Sequence, residues 1–282
     1  MPRNEMSDRG DERAGALAAP VAVITTGDGS VHATSRNVAI ETPVNVVYAN
    51  VPFAVMMATP ADLEDFAYGF SLTEGVIARP DDVRDLRVER QDGAIRLHLD
   101  LTPERLRNHL ARRRALSGRT SCGVCGIEDL AALPRARQAD GQAPAVSLTA
   151  IRRALDALEE RQALQQATHA VHGAAWADRE GAIRFVREDV GRHNALDKLI
   201  GALVRADIAP DEGFVVITSR CSYEMLEKTA AFGARTLVAI SAPTSLALER
   251  ARALDITLIA SARRGSVAVY HGLDRIREDV TA

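Results

Sequence analysis

Along the N-terminal third of the chain, apolar positions follow a period of two. The β-branched runs Val21-Ala-Val-Ile24 and Val44-Asn-Val-Val-Tyr48 stand between Gly and Pro turns, so the stretch from Ala22 to Ala49 predicts strands of a small sheet. The uncharged segment Thr42 to Ala61 is broken by Pro43, Pro52 and Pro60 and by Asn45 and Asn50, a pattern of strand and turn rather than a bilayer span. A change to helical period follows. Thr59-Pro-Ala-Asp62 reads as an N-cap with a proline in the first turn, Leu63, Phe66, Ala67 and Phe70 form one apolar face, and Gly75 is the stop. Ile95, Leu97, Leu99 and Leu101 alternate as a half-buried strand, and Thr102-Pro-Glu opens a helix running towards Leu116.

The second half has a more regular rhythm. A helix with the face Leu148, Ile151, Leu155 and Leu158 leads to two strands, at 169–177 and 182–187, joined at Arg179-Glu-Gly181. Helix 193–205, strand Phe214–Thr218, helix 223–232, strand Thr236–Ile240, helix 244–254 and strand Ile256–Ala260 then predict a largely parallel sheet covered on both faces, closed by a strand at Val267–Tyr270. The expected fold class is α/β. It comprises a loose tail over 1–17, an N-terminal α+β subdomain over 18–116, a mobile C-x-x-C loop and linker over 117–146, and a three-layer domain over 147–282. The element order of that last domain is the order of the cytidine-deaminase-like fold. The deaminase zinc site is missing, because His172-Gly-Ala174 lacks the glutamate and Cys221 stands alone in Ser219-Arg-Cys-Ser222.

Composition narrows the class of function. A length of 282 residues exceeds what a disulfide- or metal-dependent miniprotein needs, and 35 basic against 38 acidic residues disfavour a general nucleic-acid or membrane-surface binder. Only Lys198 and Lys228 are lysines, so the remaining basic residues are arginines, suited to bidentate contacts with phosphate or carboxylate. The first thirteen residues are rich in charge and have no apolar core, unlike a signal or transit sequence, which points to the cytoplasm.

Three cysteines make no disulfide framework, and two of them form Cys122-Gly-Val-Cys125. Two thiols at this spacing can share one substituent, with one sulfur attacking or carrying and the other resolving. The reactive thiolate is favoured by nearby positive charge, and six arginines against the single acid Glu104 lie between Thr102 and Arg119. Such a loop could carry sulfur as a persulfide. Two other uses fit the same cysteines: a zinc site recruiting Cys221 and a distant histidine, or a thioredoxin-like dithiol, although the preceding Arg-rich helix is the wrong context for the latter. A second constellation, His172 with Gly191-Arg-His-Asn194, places a guanidinium and free amides at a helix start, where anions bind; Asp189 or Asn194 capping that helix is the plainer alternative. Ser219-Arg220, Ser241-Ala-Pro-Thr-Ser245 and Ala260-Ser-Ala-Arg-Arg-Gly265 end successive strands, the edge at which parallel sheets bind ligands. Together they predict an anionic-ligand crevice.

The blocks Thr59–Asp65, Leu72-Thr-Glu-Gly75, Cys122-Gly-Val-Cys-Gly126, Thr168-His-Ala-Val-His172, Glu188–Lys198, Ser219–Met225 and Ser241–Ser245 together resemble the formate dehydrogenase accessory sulfurtransferase family, FdhD, from about Glu41 to Tyr270. The resemblance implies a sulfur carrier. A cysteine desulfurase would load the C-x-x-C loop, and the sulfur would pass to the molybdenum or tungsten of a bis-guanine-dinucleotide molybdopterin cofactor destined for formate dehydrogenase. It assigns the persulfide to Cys122, with Cys125 as partner. It puts the cofactor at Ala260, Ser261, Ala262, Arg263, Arg264 and Gly265, alongside the His172, Arg192, His193, Ser219 and Arg220 cluster, and it implies a homodimer. Where the family has a Gly-Phe pair before the arginine segment, this chain has Ala260-Ser261. A cofactor-holding chaperone without sulfur transfer, and a zinc-stabilised binding module, are the rival readings.

Overall fold

The computed structural model describes residues 15–115, 136–139, 141–263 and 265–278; Cys122, Cys125 and Arg264 lie outside the described residues. The described part is a mixed α/β structure. β1 (Ala16–Ile24) and β2 (Val31–Ala39) pair with each other as an antiparallel ribbon, so β1 begins inside the segment expected to be tail. β3 (Thr42–Tyr48), β4 (Val51–Ala58), α1 (Leu63–Thr73), β5 (Val83–Gln91), β6 (Ala94–Leu101) and α2 (Pro103–Ala115) follow, with the sheet order β4-β3-β6-β5. The alternating residues Val44, Val46 and Tyr48 of β3 and Leu97 and Leu99 of β6 face Phe66 and Phe70 of α1 in one buried core.

After β7 (Val146–Ser147) come α3 (Leu148–Leu158), α4 (Ala163–Thr168), β8 (His172–Asp178), β9 (Ile183–Asp189) and α5 (Arg192–Arg205). β10 (Gly213–Ile217), α6 (Tyr223–Phe232), β11 (Thr236–Ala239), α7 (Ser245–Leu254), β12 (Thr257–Arg263), β13 (Ser266–His271) and β14 (Ile276–Arg277) complete the chain. The large sheet runs β13-β12-β11-β10-β8-β9, with β10, β11 and β12 parallel. Strand alternation builds three layers. Val215 and Ile217 join Leu196, Leu199 and Met225 on the side of α5 and α6. Phe214 and Val216 join Ile151, Leu155 and Leu158 of α3 on the other side.

The two sheets are locked together through α1 and α5. At their crossing, a Cβ on Gly69 would sit 1.7 Å from the Asp197 carbonyl oxygen, and one on Gly201 would sit 1.8 Å from that of Asp65, so only glycine allows this approach. Thr59, expected as a helix cap, belongs to this junction instead. Its backbone N–H donates to Asp189 Oδ2 at 2.9 Å, its hydroxyl accepts from Val190 N at 3.2 Å, and its carbonyl accepts from Lys198 Nζ at 2.9 Å. The helix starts four residues later, after a left-handed Asp62. Both lysines are buried here. Lys198 pairs with Asp189 at 2.6 Å with neither side chain exposed, and Lys228 pairs with Asp197 at 2.9 Å.

Two further differences have local causes. The strand expected from 169 begins at His172, because α4 ends in a left-handed His169 cap. The loop and linker expected over 117–146 are held to the body where they are described: Ala136 N donates to Glu227 Oε2 at 2.5 Å, and the buried Arg235 donates to the Ala139 and Gly141 carbonyls.

Candidate functional site

Strand register brings the predicted binding residues to one edge. Ile217 is opposite Ala174 on β8 and Ala239 on β11, while Val238 is opposite Ile259, so Thr218–Arg220 and Ile240–Thr244 leave the sheet at the end towards which Ala260–Arg263 of β12 run. His172 opens β8 opposite Asp189, the last residue of β9, and the chain then turns through Gly191 into α5. His172, Arg192, His193, Ser219, Arg220 and Arg263 therefore surround the carboxyl ends of the parallel strands. Thr218 ties the edge together, since its hydroxyl accepts from Gly173 N at 2.9 Å.

No side chain caps α5, whose N-cap is Gly191. Asp189 is drawn inward instead, where it accepts from Gly191 N at 2.7 Å and from Asn194 Nδ2 at 3.0 Å and pairs with Lys198. Arg192 and His193 are thus the first residues of an uncapped helix terminus, with its partial positive charge. Glu224 on α6, which no sequence argument singled out, balances it. His193 Nε2 lies 3.9 Å from Glu224 Oε2, and the Ser222 hydroxyl donates to the same carboxylate at 2.7 Å. His193 foremost, and then Ser222, hold Glu224 down to about 2 against the opposing effect of burial. Burial foremost, and then the neighbouring Arg192 guanidinium and His193 ring, hold His172 below its usual 6.5, so it is neutral at neutral pH.

β12 departs from regular geometry at the segment the resemblance assigns to the cofactor. Pairing with β13 shifts between Ala260 and Arg263, Ser261 has φ 50°, and its N–H donates to the Ser241 carbonyl at 3.0 Å. A bulge of this kind re-aims the residues that follow it. Ala260 and Ala262 are buried, Arg263 is exposed, and Gly265 stands in open space. Ala262 and Arg263 share the lining of a recess of about 370 Å³ with Thr218 and with Gln162, Gln165 and His169 around α4. Sequence reasoning missed α4 and its amides, since six residues carry no readable period.

Cys221 is fully buried, and burial pushes its thiol up to about 12, so it is a packing residue of the core. Among the described residues no group of three or more His, Cys, Asp or Glu side chains could hold a metal ion. Likewise, no described helix is long and apolar enough to cross a membrane.

Comparison with known proteins places the chain among relatives. The model of the FdhD/NarQ family matches residues 39–277. The chain is 44% identical over 261 residues to the sulfur carrier protein FdhD of Bordetella petrii, covering 92% of this chain and 94% of that one. It is 50% identical over 239 residues to the sulfur carrier protein FdhD of Xanthomonas campestris pv. campestris, 85% of each chain. The crystal structure of a formate dehydrogenase accessory protein from Desulfotalea psychrophila has the same fold, with a TM-score of 0.72 at 24% identity over 93% of this chain and 99% of that one.

Proposed function

The chain belongs to the FdhD/NarQ family, and from that premise we propose that it is a sulfurtransferase that accepts persulfide sulfur from a cysteine desulfurase and delivers it to the bis-guanine-dinucleotide molybdenum or tungsten cofactor of formate dehydrogenase. The observation that carries the reading is the similarity, over most of the chain, to proteins named sulfur carriers. In loading, the Cys122 thiolate attacks the terminal sulfur of the donor persulfide. A bond forms between Cys122 Sγ and that sulfur, and the donor leaves as a thiolate with no net redox change. In delivery, the Cys125 thiolate attacks Cys122 Sγ and expels the outer sulfur as sulfide to the cofactor metal. The two electrons come from the cysteine pair, which is left as a disulfide and is reset by a thiol reductant.

The binding edge suits such a cargo. Arg192, Arg220 and Arg263, with the uncapped start of α5, supply donors for pyrophosphate. The recess beside Ala262 is at the small end of ligand clefts, about 300–1,000 Å³. It takes one guanine end, and the rest of the cofactor lies along the edge. Ala136, eleven residues after Cys125, is anchored to Glu227 on α6, the helix that also carries Glu224. Eleven residues span at most roughly 36–40 Å, so the dithiol has the reach to serve the edge.

The strand order with its leading hairpin supports reading the second half as cytidine-deaminase-like, with the zinc chemistry lost. The same reading puts the protein in the reducing cytoplasm, acting as a pair of copies. Complementation tests it: in a strain lacking the native protein, Cys122→Ala abolishes formate dehydrogenase activity and Cys125→Ala lowers it. Full activity from both variants would transfer the role to the chaperone reading.

A further inference from the structure

Thr59 belongs to the N-terminal half of the molecule, yet its bonds reach the turn that carries the anion-binding side chains of the other half. It is fully buried between β4 and α1. Its N–H donates to Asp189 Oδ2 at 2.9 Å, its hydroxyl accepts from Val190 N at 3.2 Å, and its carbonyl accepts from Lys198 Nζ at 2.9 Å. Two residues earlier, the Met57 carbonyl accepts from Asn194 Nδ2 at 2.8 Å. Asp189 and Val190 precede Gly191, Arg192 and His193, and Asn194 and Lys198 follow them. The 57–59 segment therefore grips the start of α5 on both sides of its basic residues.

This grip matters to an anion in two ways. Asp189 is near enough to cap the start of α5, and a carboxylate there would take the helix amides and repel a phosphate. One of its oxygens is instead held by Thr59 N and Lys198, the other by Gly191 N and Asn194 Nδ2, so its charge is balanced and turned inward. Arg192 Nε is buried with no hydrogen-bond partner among the described residues, so the aim of this side chain depends on the backbone beneath it. The Thr59 hydroxyl on Val190 N pins that backbone from across the boundary between the halves. Adhesion of the halves has other sources, the α1–α5 crossing and Arg205 on Asp65 at 2.5 Å.

We propose that Thr59 is a positioning residue for the anionic cargo. Its hydroxyl, together with the Met57 carbonyl on Asn194, holds the 189–194 turn so that Asp189 stays off the start of α5 while Arg192 and His193 stand at the strand edge. The N-terminal half thereby shapes a binding site to which it contributes no contact of its own. The inference rests on the cargo-binding edge of the preceding reading and not on its sulfur transfer.

Calorimetric titration of the full chain with guanosine diphosphate tests it, at a temperature where circular dichroism shows each variant folded. Thr59→Val keeps the shape and loses the acceptor, and Asn194→Ala cuts the Met57 contact. Misplacing a binding group by about 1 Å costs up to roughly 100-fold, so each variant binds roughly 10-fold or more weaker than wild type, whereas Thr59→Ser, which keeps the hydroxyl, stays within about twofold. Both bonds hold one turn, so Thr59→Val/Asn194→Ala binds no more than about twofold weaker than the weaker single variant. Sulfur loading of Cys122 is unchanged throughout. Wild-type affinity in Thr59→Val, no recovery with serine, a double variant that loses the product of the two effects, or loss of loading along with binding overturns the proposal. Should valine prevent folding, Asn194→Ala against wild type decides alone. A wild type that binds no guanosine diphosphate removes the cargo edge and the proposal with it, a result distinct from binding that ignores Thr59.

Discussion

Replacing Gly69 by alanine perturbs the α1–α5 crossing, where the two halves of the molecule touch backbone to backbone. The new Cβ would lie 1.7 Å from the Asp197 carbonyl oxygen, whereas ordinary contact begins at 3.4 Å, so α1 and α5 must part by about the difference. A shift of that size removes the 2.7 Å bond from Thr73 Oγ1 to Asp197 and loosens Lys228 from the same carboxylate. Overpacking costs about 1–3 kcal/mol and a disrupted buried pair about 3 kcal/mol. The better helix propensity of alanine returns roughly 1 kcal/mol. The net loss is about 4 kcal/mol, a fall in Tm of roughly 8–16 °C at the 2–4 °C per kcal/mol typical of larger domains. Because α5 also carries Arg192 and His193, the variant loses anion affinity at the edge together with stability. Circular-dichroism melts with guanosine diphosphate titration check both. A Tm unchanged or raised, as helix propensity alone demands, would refute the close-crossing argument.

Three further outcomes follow from the same contacts. Ser261→Gly removes a left-handed serine and stabilises the chain by about 1 kcal/mol in urea melts; a loss of stability would show that the serine side chain matters more than its backbone. Lys198→Met strands the buried Asp189 carboxylate and destabilises by about 3–5 kcal/mol, whereas a small loss would mean that water reaches the pair. His172, held below 6.5, gives stability that is present above that pH and is lost as pH falls through the window below it. A bound polyanion raises its pKa, so guanosine diphosphate binds more tightly as pH falls, and a proton NMR titration of His172 that is insensitive to the nucleotide would contradict its place at the site.

Legibility from sequence tracked how strongly burial constrained each segment. β10, β11 and β12 are buried on both faces and read as continuous apolar runs, and α3 and α5 carry a clear helical stripe. β5 escaped notice because an exposed edge strand, Val-Arg-Asp-Leu-Arg-Val-Glu-Arg-Gln, can be charged at five of its nine positions. The ribbon read as part of a sheet, since local pattern shows that strands exist and not which ones pair. Thr59-Pro60 has the composition of a helix cap, and only the tertiary structure turns Thr59 towards Asp189 and Lys198. At the edge, His172, Arg192 and Ser219 were legible from their positions at strand and helix ends. Glu224 and Gln162 were not, because their roles come from elements distant in sequence.

Intact-protein mass spectrometry after incubation with a cysteine desulfurase and cysteine tests the central claim most directly. The account predicts a reductant-sensitive gain of one sulfur mass on wild type that is lost in Cys122→Ala. An unchanged mass on wild type, with guanosine diphosphate still bound, would contradict sulfur carriage by this chain.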